Sequence, residues 1–155
     1  MATSQHDRQA PYPDAEWRMR VDLAACYRLA DLCGFSDIVW GHITARVPGT
    51  DHFLINRFGL RFDEVKASNL VKLDLDGNVI DPGIDSDEEA VNHTGFIIHS
   101  AVHAARPDIH CVMHSHPDGG LAVSVLAEGL LPMIQDAMPL YGRTSCLDYT
   151  GLAMD

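Results

Sequence analysis

No stretch of the 155-residue chain approaches the roughly 18 apolar residues needed to span a bilayer. The first residues (Gln5, His6, Asp7, Arg8, Gln9) are polar and carry no apolar secretory stretch. There is no Lys/Arg cluster either. Eleven basic residues stand against 22 acidic ones, a formal net charge of −11, which argues against nucleic acid and anionic membranes as partners. Cys26, Cys33, Cys111 and Cys146 form no CxxC pair and no secreted-type spacing. They read as reduced core thiols of a cytoplasmic protein. Gly41, Gly49, Gly119 and Gly120 make neither a phosphate loop nor a dinucleotide fingerprint. Ser100, Ser115 and Ser124 lie outside any GxSxG elbow, and no cysteine stands beside a basic helix start. Serine and cysteine nucleophiles are therefore set aside.

What remains is an ordinary globular balance, 46% hydrophobic and 21% charged, of a length that fits one domain. Residues 1–13 read as a flexible lead-in, and residues 14–155 as the domain. From 14 to 33 the pattern is helical, with Val21, Ala24, Ala25, Arg28 and Leu32 at three-to-four spacing, Asp14 as cap and Gly34 as stop. Residues 41–47 and 53–56 read as a hairpin, as do 70–75 and 79–80. Residues 81–89 form an acidic loop, read as a solvated connection. A helix follows over 94–105, stopped by Arg106–Pro107. Then come a strand over 109–116, a helix from Pro117 to about Glu128, a short strand over 131–134 and a turn or short helix over 136–141. Hairpins followed by alternating helices and strands predict an α/β fold, a mixed β-sheet flanked by helices.

Six of the nine histidines (His93, His99, His103, His110, His114, His116) fall between positions 93 and 116. His114 and His116 are two apart on a strand, so both rings leave one face, with Cys111 and Met113 on the other. Two imidazoles at chelating distance before Pro117, at the end of a strand, suit a divalent metal. On spacing alone HxH is short and common, and two partly exposed strand-end histidines are the competing reading. His99 and His103, four apart on a helix, have no Glu between them in the metalloprotease pattern and read as packed or hydrogen-bonded. His110 reads as structural.

Three stretches together resemble the class II aldolase/adducin family: Gly41–His42–Ile43–Thr44–Ala45–Arg46 with the preceding 35–40; FIIHSAVHAARPDIHCVMHSH over 96–116; and 129–132 running on to 141–142 and 148–151. The middle stretch is the most specific, and the order of the three extends from about Val21 to the end. The resemblance implies that His114 and His116 bind a divalent metal, Zn foremost with Mn, Co or Fe as alternatives. It also implies a third histidine ligand beyond Asp155, so that the domain is truncated at its C-terminus and binds metal weakly by itself. A small-molecule substrate, an enolate stabilised by the metal, and a homotetramer with sites at subunit contacts are further implications.

Two departures from the family pattern shape the expected chemistry. The family's catalytic Glu aligns with Gly95. The groups that would hold a phosphate are replaced by Val39, Gly41–His42 and His93–Thr94. Gly41, His42, His93 and Thr94 are expected to meet the substrate, with His42 either facing a carboxylate, acting as acid/base, or closing a sheet edge. Aldol cleavage needs a base to take a hydroxyl proton, whereas decarboxylation does not. The expectation is a metal-dependent carbon–carbon lyase, a decarboxylase or atypical aldolase, acting on a small carboxylated, non-phosphorylated substrate. The alternatives are a non-haem iron oxygenase of the same fold and a non-catalytic adducin-like interaction module.

Overall fold

The computed structural model describes residues 12–81, 91–149 and 151–152. Helix α1 (Asp14–Leu32) begins after Pro13 with Asp14 and Glu16 in its first turn, where carboxylates complement the helix dipole. Pro13 rather than Asp14 is therefore the N-cap. The helix ends as expected: Gly34 N–H donates to the Asp31 carbonyl and Phe35 N–H to that of Ala30, both at 2.9 Å, a closure that satisfies the last orphan acceptors.

The strands are β1 (His42–Arg46), β2 (Phe53–Ile55), β3 (Val71–Leu73) and β4 (Cys111–His114), in spatial order β3-β2-β1-β4. Every pairing is antiparallel. The expected mixed sheet would need a parallel neighbour, and none of the described strands provides one. Helix α2 (His93–Ala105) lies between β3 and β4 in the chain. It starts at Asn92, whose side chain accepts from the backbone N–H of Thr94 and Gly95. It stops where Arg106 precedes Pro107.

The two helices cover opposite faces of the sheet. Leu23, Tyr27 and Ala30 of α1 pack with Ile43, Ala45, Val47 and Leu54, while Phe53, Ile55, Val71 and Leu73 face the other way against Phe96 of α2. The Tyr27 hydroxyl ties α1 to both central strands, lying 2.6 Å from the Ile43 carbonyl and 2.7 Å from Asn56 Oδ1. The period-2 alternation of β1 therefore sends its apolar residues to α1. His42, Thr44 and Arg46 go toward α2.

Several sequence expectations shift. Of the five residues whose spacing marks the helix, only Ala24 is buried; the packed face of α1 runs through Glu16, Arg20, Leu23, Ala24, Tyr27 and Ala30. It includes charge because Arg20, fully buried, bonds Glu16, Asp81 and the Leu70 carbonyl. Asp81, read as part of a solvated loop, is thus a buried ion-pair partner; 82–90 lie outside the described residues. Tyr12, assigned to the lead-in, stacks on Trp17 and bonds Asp81 at 2.7 Å. The rest of the lead-in, 1–11, lies outside the described residues. Helix α3 (Asp118–Ser124) closes before Glu128. Residues 131–134 form a turn, with Met133 N–H bonded to the Leu131 carbonyl, leading into a 3-10 helix over Gln135–Leu140. Its apolar residues have no described strand beside them to supply a ladder. The cysteines are free, but Cys33, Cys111 and Cys146 are exposed rather than core thiols.

Candidate metal centre

Strand β4 supplies His114 as its last paired residue, opposite His42 of β1. His116 follows two residues later, beyond the end of the ladder and just before Pro117. Their parity sends both rings to one side, and the two Nε2 atoms converge to 2.8 Å. Cys111 and Met113, both more exposed, occupy the opposite parity. Burial and the neighbouring His116 push the His114 pKa down, which keeps its ring neutral, as ligation requires. Nitrogens bound to one tetrahedral zinc at roughly 2.0–2.1 Å stand about 3.3 Å apart. The pair therefore needs to open by only about half an ångström to share an ion. Among the described residues no group of three His, Cys, Asp or Glu side chains is arranged to hold a metal.

Behind His116 stands a residue that the sequence reading passed over. Asp37 Oδ2 lies 2.7 Å from His116 Nδ1, across 79 residues of sequence. The available signal was weak: one carboxylate in the otherwise mostly apolar run 35–40 that leads into β1. A cleft of about 860 Å³ opens beside this pair, lined by Phe35, Ser36, Asp37, His116, Pro117 and Gly119 among others. That volume suits a small-molecule ligand.

On the α2 side, the three polar residues of β1 join two helix histidines. His42 Nδ1 lies 2.9 Å from His99 Nε2. His99 Nδ1 lies 2.8 Å from Thr44 Oγ1, and the same oxygen is 2.9 Å from His103 Nε2. Arg46 Nη2 donates to the His103 carbonyl at 2.5 Å. Burial holds all three rings neutral, with pKa values lowered to about 4 for His42, about 3 for His99 and about 4 for His103. His99 and His103 are hydrogen-bonded, as expected from their helix-face positions. Polar groups in such a core cost stability unless paired, and no buried side-chain nitrogen or oxygen among the described residues lacks a partner.

The residues expected to meet substrate are placed differently from one another. His42 is buried, and its ring stacks on His114 with centroids 4.8 Å apart. Gly41 is required by packing: a Cβ there would meet the Phe62 ring at 2.6 Å. The Thr94 hydroxyl donates to Asn92 Oδ1 at 2.8 Å, reinforcing the helix cap. His93 lines a separate pocket of about 350 Å³ with Asp76, Gly77, Val91 and Phe96. The structure thus brings His42, His114 and His116 together, adds Asp37, and leaves His93 elsewhere. His110 is exposed, and its carbonyl accepts from Arg46 N–H.

A helix-flanked sheet with two convergent strand-end histidines and a carboxylate behind one of them defines an α/β domain with a histidine cluster at one end of its sheet. The comparisons specify the family. Residues 21–155 match the class II aldolase and adducin N-terminal domain, and the chain belongs to that family. It is 48% identical to an aldolase II superfamily protein from Pseudomonas syringae, with a TM-score of 0.85 over 99% of this chain and 60% of that one. It is 35% identical to an L-fuculose 1-phosphate aldolase from Glaciozyma antarctica, with a TM-score of 0.75 over 86% of this chain and 55% of that one. Rat alpha-adducin is 47% identical over 93% of this chain but only 19% of its own length. The chain spans 54% and 56% of two bacterial relatives, from Caulobacter vibrioides and Pseudomonas aeruginosa, that are provisionally named class 2 aldolases.

Proposed function

We propose that the intact protein is a metal-dependent carbon–carbon lyase acting on a small, carboxylated, non-phosphorylated substrate, by decarboxylation or atypical aldol cleavage. The observation that carries this reading is the 2.8 Å convergence of His114 and His116 Nε2, two imidazole nitrogens aimed at one point. A divalent cation held there, zinc first, would act as Lewis acid toward a substrate carbonyl or hydroxyl.

The chain's own residues supply the rest. Loss of carbon dioxide breaks the bond to the carboxylate, and the electron pair left behind passes to the neighbouring carbonyl oxygen. The carbon is later protonated, and the carboxylate takes no proton beforehand. That proton comes from water, leaving hydroxide for the released carbon dioxide, and His42, neutral and stacked on His114, is assigned to hold that water. A side chain at position 95 plays no part, because His42 already fills its space. A cytoplasmic homotetramer goes with this reading on family grounds.

The alpha-adducin relative supports a second reading, an interaction module without chemistry. Metal analysis of the intact protein separates the two. The lyase reading expects one divalent ion per chain, lost together with carbon dioxide release when His114→Ala is made. Absence of stoichiometric metal favours the interaction module. Cleavage of a sugar phosphate at ordinary aldolase rates overturns the decarboxylase assignment, and oxygen-dependent turnover with iron favours an oxygenase.

A further inference from the structure

We propose that Asp37 is a positioning residue for metal capture, locking His116 in the one tautomer that aims its Nε2 lone pair at the point shared with His114. The inference rests on the metal-site reading above and extends it to a residue outside the histidine pair. A carboxylate accepts but does not donate. At 2.7 Å from Asp37 Oδ2, His116 Nδ1 therefore carries a proton, and in the neutral ring that ligation requires, the lone pair is on Nε2. His114 has no equivalent support: among the described residues its only hydrogen-bond partner is His116 Nε2. One ligand is preset and the other is free to turn or change tautomer as an ion enters. Histidine ligands elsewhere owe affinity to such outer carboxylates.

The backbone around Asp37 is built to hold this geometry. Phe35 N–H is bonded to the end of α1, and Ser36 Oγ lies 2.6 Å from Asp31 Oδ1. Trp40 N–H then closes a turn onto the Asp37 carbonyl at 2.9 Å, immediately before β1. Inside that turn Ile38 has φ +46°, and it is the only non-glycine residue with positive φ among those described. The left-handed region is costly for a β-branched side chain. Ile38 is 70% exposed, so its own packing does not explain the conformation. The turn presents Asp37 toward His116.

The test is competition titration with Zn²⁺ on the wild type, Asp37→Asn and Asp37→Ala, together with ¹⁵N NMR of the His116 ring in metal-free protein. The wild type is expected to show a protonated Nδ1. Asp37→Ala is expected to weaken zinc binding by about 10- to 100-fold and to give His116 a mixture of tautomers. Asp37→Asn, which keeps an acceptor but loses the charge and also serves if the alanine variant fails to fold, should retain the tautomer with a smaller loss. A wild type protonated on Nε2, or an Asp37→Ala affinity within twofold of wild type, overturns the proposal. If the wild type takes no zinc, the lyase reading and the capture role fall together, whereas zinc binding left intact in Asp37→Ala overturns the role of Asp37 alone.

Discussion

The ring of His42 occupies the space in which a side chain at Gly95 would begin. A Cβ on Gly95 would lie 2.7 Å from both Cδ2 and Nε2 of His42, closer than carbon and nitrogen can approach. The ring has little room to retreat, since His99 bonds its Nδ1 and His114 stacks against it.

Gly95→Ala should accordingly destabilise the protein by about 1–3 kcal/mol through overpacking, although alanine in a helix ordinarily gains up to ~1 kcal/mol over glycine. In a His42→Ala background the same change should cost nothing or stabilise. Urea denaturation of the four proteins in a double-mutant cycle measures the coupling. Equal effects in both backgrounds would refute the steric account. A glutamate at 95 can then act only in the His42→Ala/Gly95→Glu protein, and any gain in aldol cleavage is expected there and not in the single variant.

Stability should fall on mild acidification. Burial lowers the His99 pKa to about 3 and that of His103 to about 4, from an ordinary 6.5. Between those values the unfolded chain binds protons that the folded protein does not, so stability rises with pH across the window. The contribution is complete above about 6.5 and declines as pH falls toward about 4. Urea midpoints between pH 7.5 and 5 check this, and a flat profile would contradict it.

Thr44 bridges two rings that have no other route to each other. Replacing it with Val leaves His99 Nδ1 and His103 Nε2 without their hydroxyl. A buried group stripped of its partner costs about 1–3 kcal/mol, so Thr44→Val should lower the melting temperature by several degrees. Thr44→Ser, which keeps the oxygen, should recover most of the loss. If the two variants melt alike, the hydroxyl is not what matters.

Among the described residues Arg20 is the sole side-chain cation touching both Glu16 and Asp81; Lys72 Nζ reaches only Glu16, while the Lys72 backbone N–H donates to Asp81 Oδ2 at 3.1 Å. Arg20→Ala should cost about 3–5 kcal/mol, because breaking one side of a buried pair strands the other charge. Adding Asp81→Asn should return part of that energy. An Arg20→Ala protein with near wild-type stability would show that water reaches the cluster.

Local pattern was enough to place most elements. Helical spacing and the Gly34 stop mark the end of α1 at Leu32. Arg106–Pro107 stops α2 as expected, and its start at His93 falls one residue before the expected one. Strand parity alone puts the His114 and His116 rings on one side, because alternate residues of an extended chain must share a face. Such features depend on neighbours a few residues away, which the sequence displays directly. What depended on distant chain was settled only by folding. The buried face of α1 runs through Arg20 rather than Val21, because Asp81 lies near enough to neutralise the charge. Residues 131–134 look like a strand but have no described partner, and a strand exists only through a neighbour's hydrogen bonds. Gly95 reads as a lost side chain until His42 is seen in its place. Asp37 is an unremarked carboxylate until the turn at Ile38 sets it against His116, 79 residues away.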